Sequence, residues 1–113
     1  MKTDDMVILS KILEDTHKIT RYVHGCDQDS FLANEEKQDA VIMVLLTLGE
    51  RVNQLSEEFK KANVNIPWAR IYGFRNIAAH HYDTLSVLDV WVFAHKSVPI
   101  LRKQIEQIVG DPT

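Results

Sequence analysis

The stretch DAVIMVLLTLGERVNQLSEEF, residues 39–59, repeats apolar side chains every three or four positions along its whole length. The stripe consists of Val41, Val44, Leu45, Leu48, Val52, Leu55 and Phe59. This spacing is typical of one face of an α-helix and not of the alternation seen in a β-strand. It predicts a long helix from about Glu35 to Lys61 that buries one side in a core.

A second apolar stripe precedes this helix. It has the same spacing and comprises Leu9, Ile12, Leu13, Thr16, Ile19 and Val23. Gly25 is expected to end the helix that carries this stripe, because glycine adopts the left-handed conformation common after a helix end. A short turn of helix is expected around Phe31 and Leu32, with Asp27 or Asp29 as its N-cap.

Two further helices are expected after the central one. The first runs from about Trp68 to Tyr82 and the second covers about Val87 to Val109. Pro99 lies inside the last helix, where it removes one backbone donor and is expected to cause a kink. Together the segments predict an all-α fold, a single domain over residues 1–113. Its architecture is a small up-and-down bundle of four main helices plus one short helix.

The composition excludes several classes of protein. The chain has 113 residues, a length typical of one domain, and its 45% hydrophobic content allows a core without cross-links. The single cysteine, Cys26, excludes an intramolecular disulfide framework and argues against a zinc finger. The longest apolar run, residues 40–46, is seven residues long, whereas a membrane helix needs about 20. Because the N-terminus also lacks a signal-peptide pattern, we expect a soluble, cytoplasmic protein with no membrane partner.

The charges are distributed unevenly along the chain. The net charge of −3 excludes a globally basic nucleic-acid coat protein. Residues 27–58 hold eight acids and two bases, whereas residues 59–82 hold no acid. The acid-free window contains Lys60, Lys61, Arg70, Arg75, His80 and His81. It is either a chance fluctuation on a helical surface or a site for an anion such as phosphate.

Arg75 occupies an unusual position on the predicted helix over residues 68–82. It lies in the middle of the apolar face, where an unpaired guanidinium would be costly, so it is expected to meet an anion, an interface or solvent. Tyr82, seven residues later, shares this face, while Gly73, Asn76 and His80 lie on the opposite side. Glycine there is consistent with close approach of another backbone or a ligand. Arg75 and His80 point about 140° apart on an ideal helix. A site using both therefore needs either a helix that loosens near its C-terminus or a second copy of the chain. We predict the second, with the site at or near a symmetric helix–helix interface.

The residues from Arg75 to Tyr82 fit the pattern R-x-x-x-x-H-x-Y. With Pro67-Trp68 and Gly73 before them and Leu48-Gly49-Glu50 in the central helix, the chain resembles the HepT-like toxins of the HEPN superfamily of helical ribonucleases. The resemblance implies an all-α homodimer that cleaves RNA without a metal or other cofactor. It also implies a type II-like toxin–antitoxin pair with an MntA-like minimal nucleotidyltransferase antitoxin, which attaches AMP to the motif tyrosine, here Tyr82.

The resemblance also suggests a role for each residue of the motif. His80 is expected to act as general base or acid, because histidine transfers protons near neutral pH. Arg75 is expected to clamp the phosphate, since guanidinium stays charged and can bind two oxygens. Asn76 would orient the phosphate or the histidine. The chain departs from the family pattern in having His81 beside His80, so His81 is an auxiliary or substitute candidate. Glu50 is a second auxiliary candidate. As an alternative that does not depend on the resemblance, Arg75 could simply pair with a carboxylate of the neighbouring helix such as Glu50 or Glu57, which is compatible with a clamp that needs a partner when no substrate is bound.

Less specific interpretations remain open at this point. His80 could be a surface histidine at a helix end, Tyr82 a core-edge aromatic, and Trp68 and Trp91 core or dimer-interface anchors. No metal site is expected, because no carboxylate is convincingly placed between the helix positions of His17 and His24. The alternative function is a non-catalytic companion subunit of a nucleotidyltransferase that binds a nucleotide or its partner protein.

Overall fold

The central apolar stripe forms α3, Glu35–Gln54, which packs against a helix on each side. The computed structural model describes residues 3–110. Along one side of α3 lies α1, Thr3–Val23, and along the other lies α5, Trp68–His80. The side chain of Asn34 starts α3 by accepting a hydrogen bond from the Lys37 backbone N–H at 3.1 Å. No strand occurs among the described residues, and the predicted all-α bundle is confirmed.

The prediction of one unbroken helix from Glu35 to Lys61 is wrong. The chain leaves the helix at Leu55, which is extended, and starts a new short helix, α4, Glu57–Ala62. Ser56 caps α4, because its Oγ accepts the Phe59 N–H at 3.1 Å. Asp5 of α1 holds the break in place: its carboxylate accepts the Ser56 N–H at 2.9 Å and the Ser56 hydroxyl at 2.7 Å. The described part of the bundle therefore has four long helices and two short ones.

The remaining elements lie close to the predicted ones, although α5 ends at His80 and not near Tyr82. Gly25 follows α1 at a φ of 79°. A capping box at Asp27 starts the short helix α2, Gln28–Leu32. The last long helix is continuous but changes its winding. It consists of α6, Val87–Val92, a π-helical segment, Phe93–Ser97, and α7, Val98–Val109. The π-helical segment ends two residues before Pro99, where the missing N–H removes one normal helical hydrogen bond.

The core lies between α1, α3, α5 and the last helix. Its least exposed side chains are Leu9, Ile12, Ile19, Phe31, Val41, Leu45, Leu48, Val52, Ile66, Val90, Val98 and Ile105. One ion pair crosses the packed surface between α1 and α3: Asp15, which is buried, lies 3.1 Å from Nε of Arg51. Burial raises the pKa of Asp15, and the nearby Arg51 charge opposes that shift. Trp68 and Trp91 are both buried, as expected of core anchors.

Candidate functional site

The site residues are carried by α5 and by the chain that follows it. Buried Trp68, Ile71 and Ala78 hold α5 against the rest of the bundle. The indole Nε1 of Trp68 donates to the Asn63 carbonyl oxygen at 3.0 Å, which fixes the start of the helix. The helix is therefore anchored at both ends, and the side chains on its other faces have a rigid support.

A glycine of α3 makes room for Arg75. A Cβ atom on Gly49 would overlap Cβ and Cγ of Arg75 and would lie 3.4 Å from its Cδ. Glycine inside a helix costs about 1 kcal/mol relative to alanine, and here it lets the arginine stem pass across the α3 backbone. Gly73, where the sequence suggested a close approach, has open space around its Cβ position within the chain. The close approach that the single chain does contain is therefore at Gly49.

The Arg75 guanidinium is surrounded by acceptors from its own chain. Its Nη2 lies 3.5 Å from Oε2 of Glu50, its Nη1 donates to Oδ1 of Asn76 at 3.2 Å, and its Nε donates to the Leu46 carbonyl oxygen at 3.4 Å. Of the two predicted partners, the structure selects Glu50. Arg75 keeps 22% of its side chain exposed and Glu50 keeps 45%, so the pair lies at the surface and solvent reaches it. An incoming anion can therefore reach the guanidinium by displacing the carboxylate.

His80 is the last residue of α5 and is exposed. His81, also exposed, leaves the helix, and its N–H completes the final turn by donating to the Ile77 carbonyl oxygen at 2.8 Å. Within residues 3–110, no hydrogen bond or ion pair joins His80 to Arg75 or Asn76. One chain thus joins Arg75 to Asn76 and Glu50 by polar contacts, and gives His80 no such contact with Arg75 or Asn76, although His80 lies one helical turn after Asn76 on α5.

Tyr82 does not share a helix face with Arg75, and that prediction is wrong. The helix ends at His80, and Tyr82 starts a 3₁₀ turn, Tyr82–Thr84. The turn forms because the His81 carbonyl oxygen accepts the Thr84 N–H at 3.0 Å. The Tyr82 hydroxyl reaches back to α3 and donates to Oδ1 of Asp39 at 2.6 Å. This hydrogen bond is the main cause of a raised pKa of the Tyr82 phenol, although the side chain is 55% exposed.

Two of these contacts were not identified in the sequence. Gly49 and Asp39 both lie in the stretch 39–59 that predicts the central helix, but the apolar periodicity assigns no partner to either. A signal existed for Gly49, because a glycine in the middle of a helical apolar stripe implies close packing. No local signal pairs Asp39 with Tyr82, since the two are 43 positions apart and meet only because α3 and α5 are packed together.

Within residues 3–110, no three or more of the His, Cys, Asp and Glu side chains are grouped so that they could hold a metal ion. No helix in the same part of the chain is long and apolar enough to cross a membrane.

The chain is similar to known proteins over most of its length. Residues 12–108 match the family model described as "Ribonuclease HepT-like". A protein of Methanocaldococcus jannaschii named "Putative RNase MJ0127" is 32% identical over 97% of this chain and 91% of its own length. A second protein of that organism, "Putative RNase MJ1380", is 29% identical over 93% of this chain and 96% of its own. "Probable ribonuclease HepT" of Thermococcus cleftensis is 26% identical over 96% of this chain and 98% of its own. No solved structure matches the chain significantly.

Proposed function

Because the chain belongs to the HepT-like ribonuclease family, we propose that it is the endoribonuclease toxin of a toxin–antitoxin pair. The observation that carries this proposal is the family match over residues 12–108, which includes Arg75, Asn76 and His80. The partner would be an MntA-like minimal nucleotidyltransferase that acts as antitoxin. The substrate would be RNA, and the reaction would need no metal.

The proposed chemistry is transesterification within the RNA chain. A histidine takes the proton of a 2′-OH, the resulting oxygen attacks the neighbouring phosphorus, and the bond to the 5′ oxygen breaks. The products are a 2′,3′-cyclic phosphate and a 5′-OH, which receives a proton from a general acid. Arg75 binds the non-bridging oxygens and stabilises the charge that builds up on phosphorus. Asn76, which already holds the guanidinium, orients it toward the phosphate.

The proposed site is completed by a second copy of the chain. Within residues 3–110, no hydrogen bond or ion pair joins Arg75 to His80, so one active site would combine these residues across a two-fold axis. Apolar side chains next to the motif support this arrangement: Ile77 is 46% exposed and Met43 is 63% exposed. The open space around Gly73 gives a second helix room to approach α5. In such a dimer the two α5 helices line one cleft.

Adenylylation of Tyr82 is the proposed means of neutralisation. The exposed Tyr82 ring leaves the hydroxyl accessible, and its only hydrogen bond among the described residues is to the Asp39 carboxylate. Transfer of AMP to the phenolic oxygen, with loss of pyrophosphate from a nucleoside triphosphate, would add a negatively charged phosphodiester two residues from His80. That charge would repel RNA phosphates, and the nucleotide would occupy space next to the histidine.

The test is cleavage of RNA by the purified protein in EDTA. We expect the wild type to produce 2′,3′-cyclic phosphate ends, and we expect Arg75→Ala and His80→Ala each to abolish cleavage because the clamp and the proton carrier are then missing. His81→Ala is the matched control for removing an exposed imidazole. Full activity in His80→Ala together with lost activity in His81→Ala would assign the proton transfer to His81 and not to His80. RNA binding without cleavage by the wild type would support the non-catalytic companion subunit.

A further inference from the structure

A groove lies beside the motif on the surface formed by α4, the linker at 63–67 and the first turns of α5. Its volume is about 530 Å³. Its walls contain three cationic side chains, Lys60, Lys61 and Arg70, and one acidic side chain, Glu57. The groove thus collects the lysines and the first arginine of the acid-free segment that the sequence analysis singled out, which the proposed catalytic mechanism does not use.

Two of the three cations in the groove are available to a ligand. Lys60 is partly neutralised, because its Nζ lies 3.1 Å from Oε1 of Glu57. Lys61 and Arg70 are exposed, and neither has a hydrogen bond or ion pair with any residue of the part that the structure describes. Cations without an internal partner gain more from binding an external phosphate than paired cations do.

The groove also contains apolar and aromatic surface. The half-buried ring of Tyr72 lines one wall, and Val64, which is 79% exposed, lines another. An aromatic ring next to free cations is the combination that single-stranded nucleic acids require, because bases stack on the ring while phosphates contact the cations. An acidic peptide would use the cations but would gain less from the ring.

The end of the groove adjoins the Arg75 site. Tyr72 precedes Arg75 by one helical turn on α5, and Asn53, another wall residue, follows Glu50 by three positions on α3. Since Arg75 contacts Glu50, each member of this pair has a groove-lining residue about one helical turn away along its own helix. Arg70 lies roughly 7.5 Å from Arg75 along the helix axis, at 1.5 Å per residue. A chain bound at Arg75 can therefore continue directly into the groove.

We propose that this groove binds the single-stranded RNA next to the phosphate held by Arg75, with Lys61 and Arg70 on its phosphates and Tyr72 stacked on a base. The proposal rests on the proposed function for the identity of the substrate. It assigns the groove to binding, and leaves the bond-breaking step to Arg75 and His80.

The test measures the affinity for a fluorescent single-stranded RNA whose 2′ oxygens are all methylated. Such an RNA has no nucleophile, so the wild type binds it without cutting it. For a single strand, each phosphate contact contributes about 0.7 to the slope of the logarithm of the binding constant against the logarithm of the salt concentration. At 0.1 M salt, losing one contact therefore lowers the affinity about fivefold. We expect the double variant Lys61→Ala/Arg70→Ala to bind roughly 25-fold more weakly and to have a slope smaller by about 1.4.

The matched control removes two exposed cations elsewhere, Lys11 on α1 and Lys103 on α7. The control Lys11→Ala/Lys103→Ala has the same net charge as the groove variant and is expected to keep the wild-type slope. Stacking is tested with Tyr72→Leu, which we expect to bind at least about fivefold more weakly, and with Tyr72→Phe, which keeps the ring and the affinity. Equal losses in the groove and control variants would overturn the proposal, as would unchanged binding in the groove variant.

Cleavage of unmodified RNA separates this proposal from the proposed function. The groove variant is expected to have a raised KM for RNA and a kcat close to that of the wild type, because the reacting groups are untouched. If the wild type cleaves RNA and the groove variant matches it in both KM and affinity, the groove proposal fails and the function stands. If the wild type binds RNA through the groove but cleaves none, the proposed function fails and the binding groove stands.

Discussion

The substitution Gly49→Ala tests whether the packing of Arg75 across α3 requires a glycine. A methyl group at this position overlaps Cβ and Cγ of Arg75, and the arginine Cβ cannot move without moving the α5 backbone. Forcing an extra methyl into a packed contact costs about 1–3 kcal/mol. Replacing glycine by alanine inside a helix gives back about 1 kcal/mol. The expected net change is a loss of roughly 0–2 kcal/mol in the free energy of unfolding.

Gly73→Ala is the matched control, because Gly73 also lies inside a helix but has open space around its Cβ position in the chain. The free energy of unfolding of this variant is expected to rise by about 1 kcal/mol, because alanine has a higher helix propensity than glycine. The two variants should therefore differ by about 1–3 kcal/mol, which isolates the clash with Arg75. Urea-induced unfolding followed by circular dichroism measures both, at one fixed protein concentration because association changes apparent stability.

The reasoning fails if Gly49→Ala is stabilised as much as Gly73→Ala, since the arginine would then have room to move. Sedimentation of the Gly73→Ala variant is measured alongside its stability. If Gly73→Ala is destabilised and sediments as a smaller species than the wild type, a second copy of the chain packs on Gly73. The expected rise in the free energy of unfolding is then measured on the separated protomer.

Three further outcomes are expected. Glu50→Gln should lower the KM for RNA by up to about fivefold, because exposed ion pairs such as that with Arg75 contribute about 0.2–1 kcal/mol; a raised KM or a lost kcat would instead give Glu50 a catalytic role. Asp39→Asn should lower the pKa of the Tyr82 phenol toward its ordinary value, measured by ultraviolet titration against Tyr82→Phe, and an unchanged titration would contradict the hydrogen bond. The backbone and side-chain hydrogen bonds of the α2 capping box lower the pKa of Asp27 in the folded protein. The charged cap therefore stabilises the fold above the pKa of the unfolded carboxyl and loses this effect as pH falls through the folded pKa, so acid unfolding of Asp27→Asn should depend less on pH over that range.

The helical periodicity predicted most of the fold because it records which side of each helix is buried. Every residue of the stripe from Val41 to Phe59 is buried, including Leu55 at the break and Phe59 beyond it. The pattern missed the break because Leu55 and Phe59 keep the spacing across it. Ser56 followed by two glutamates is typical of the start of a helix, but this signal is independent of the spacing of apolar residues. The buried partner that fixes this start, Asp5, is 51 positions away and could be found only in the folded chain.

The sequence predicted those features of the site that depend on residues close together along the chain. Arg75 on an otherwise apolar face indicated a need for a partner, and Glu50 is that partner. The prediction that Tyr82 shares a helix face with Arg75 was wrong because it extended the helix to Tyr82, two residues beyond its end at His80. Whether a helix continues past His80 depends on the hydrogen bond between Thr84 and the His81 carbonyl oxygen, which spacing does not reveal.

The internal acceptors of Arg75 have a consequence for selectivity among cellular anions. Because Glu50, Asn76 and the Leu46 carbonyl oxygen each contact one nitrogen of the guanidinium, a ligand that needs all five of its N–H groups must exchange places with groups tethered to the protein. Free phosphate offers one charge centre and must replace a carboxylate of similar strength, so it gains little. A polynucleotide brings neighbouring phosphates and bases that bind outside the clamp while one phosphate competes inside it. On the proposed mechanism, a polynucleotide therefore competes for the arginine better than a single free phosphate does.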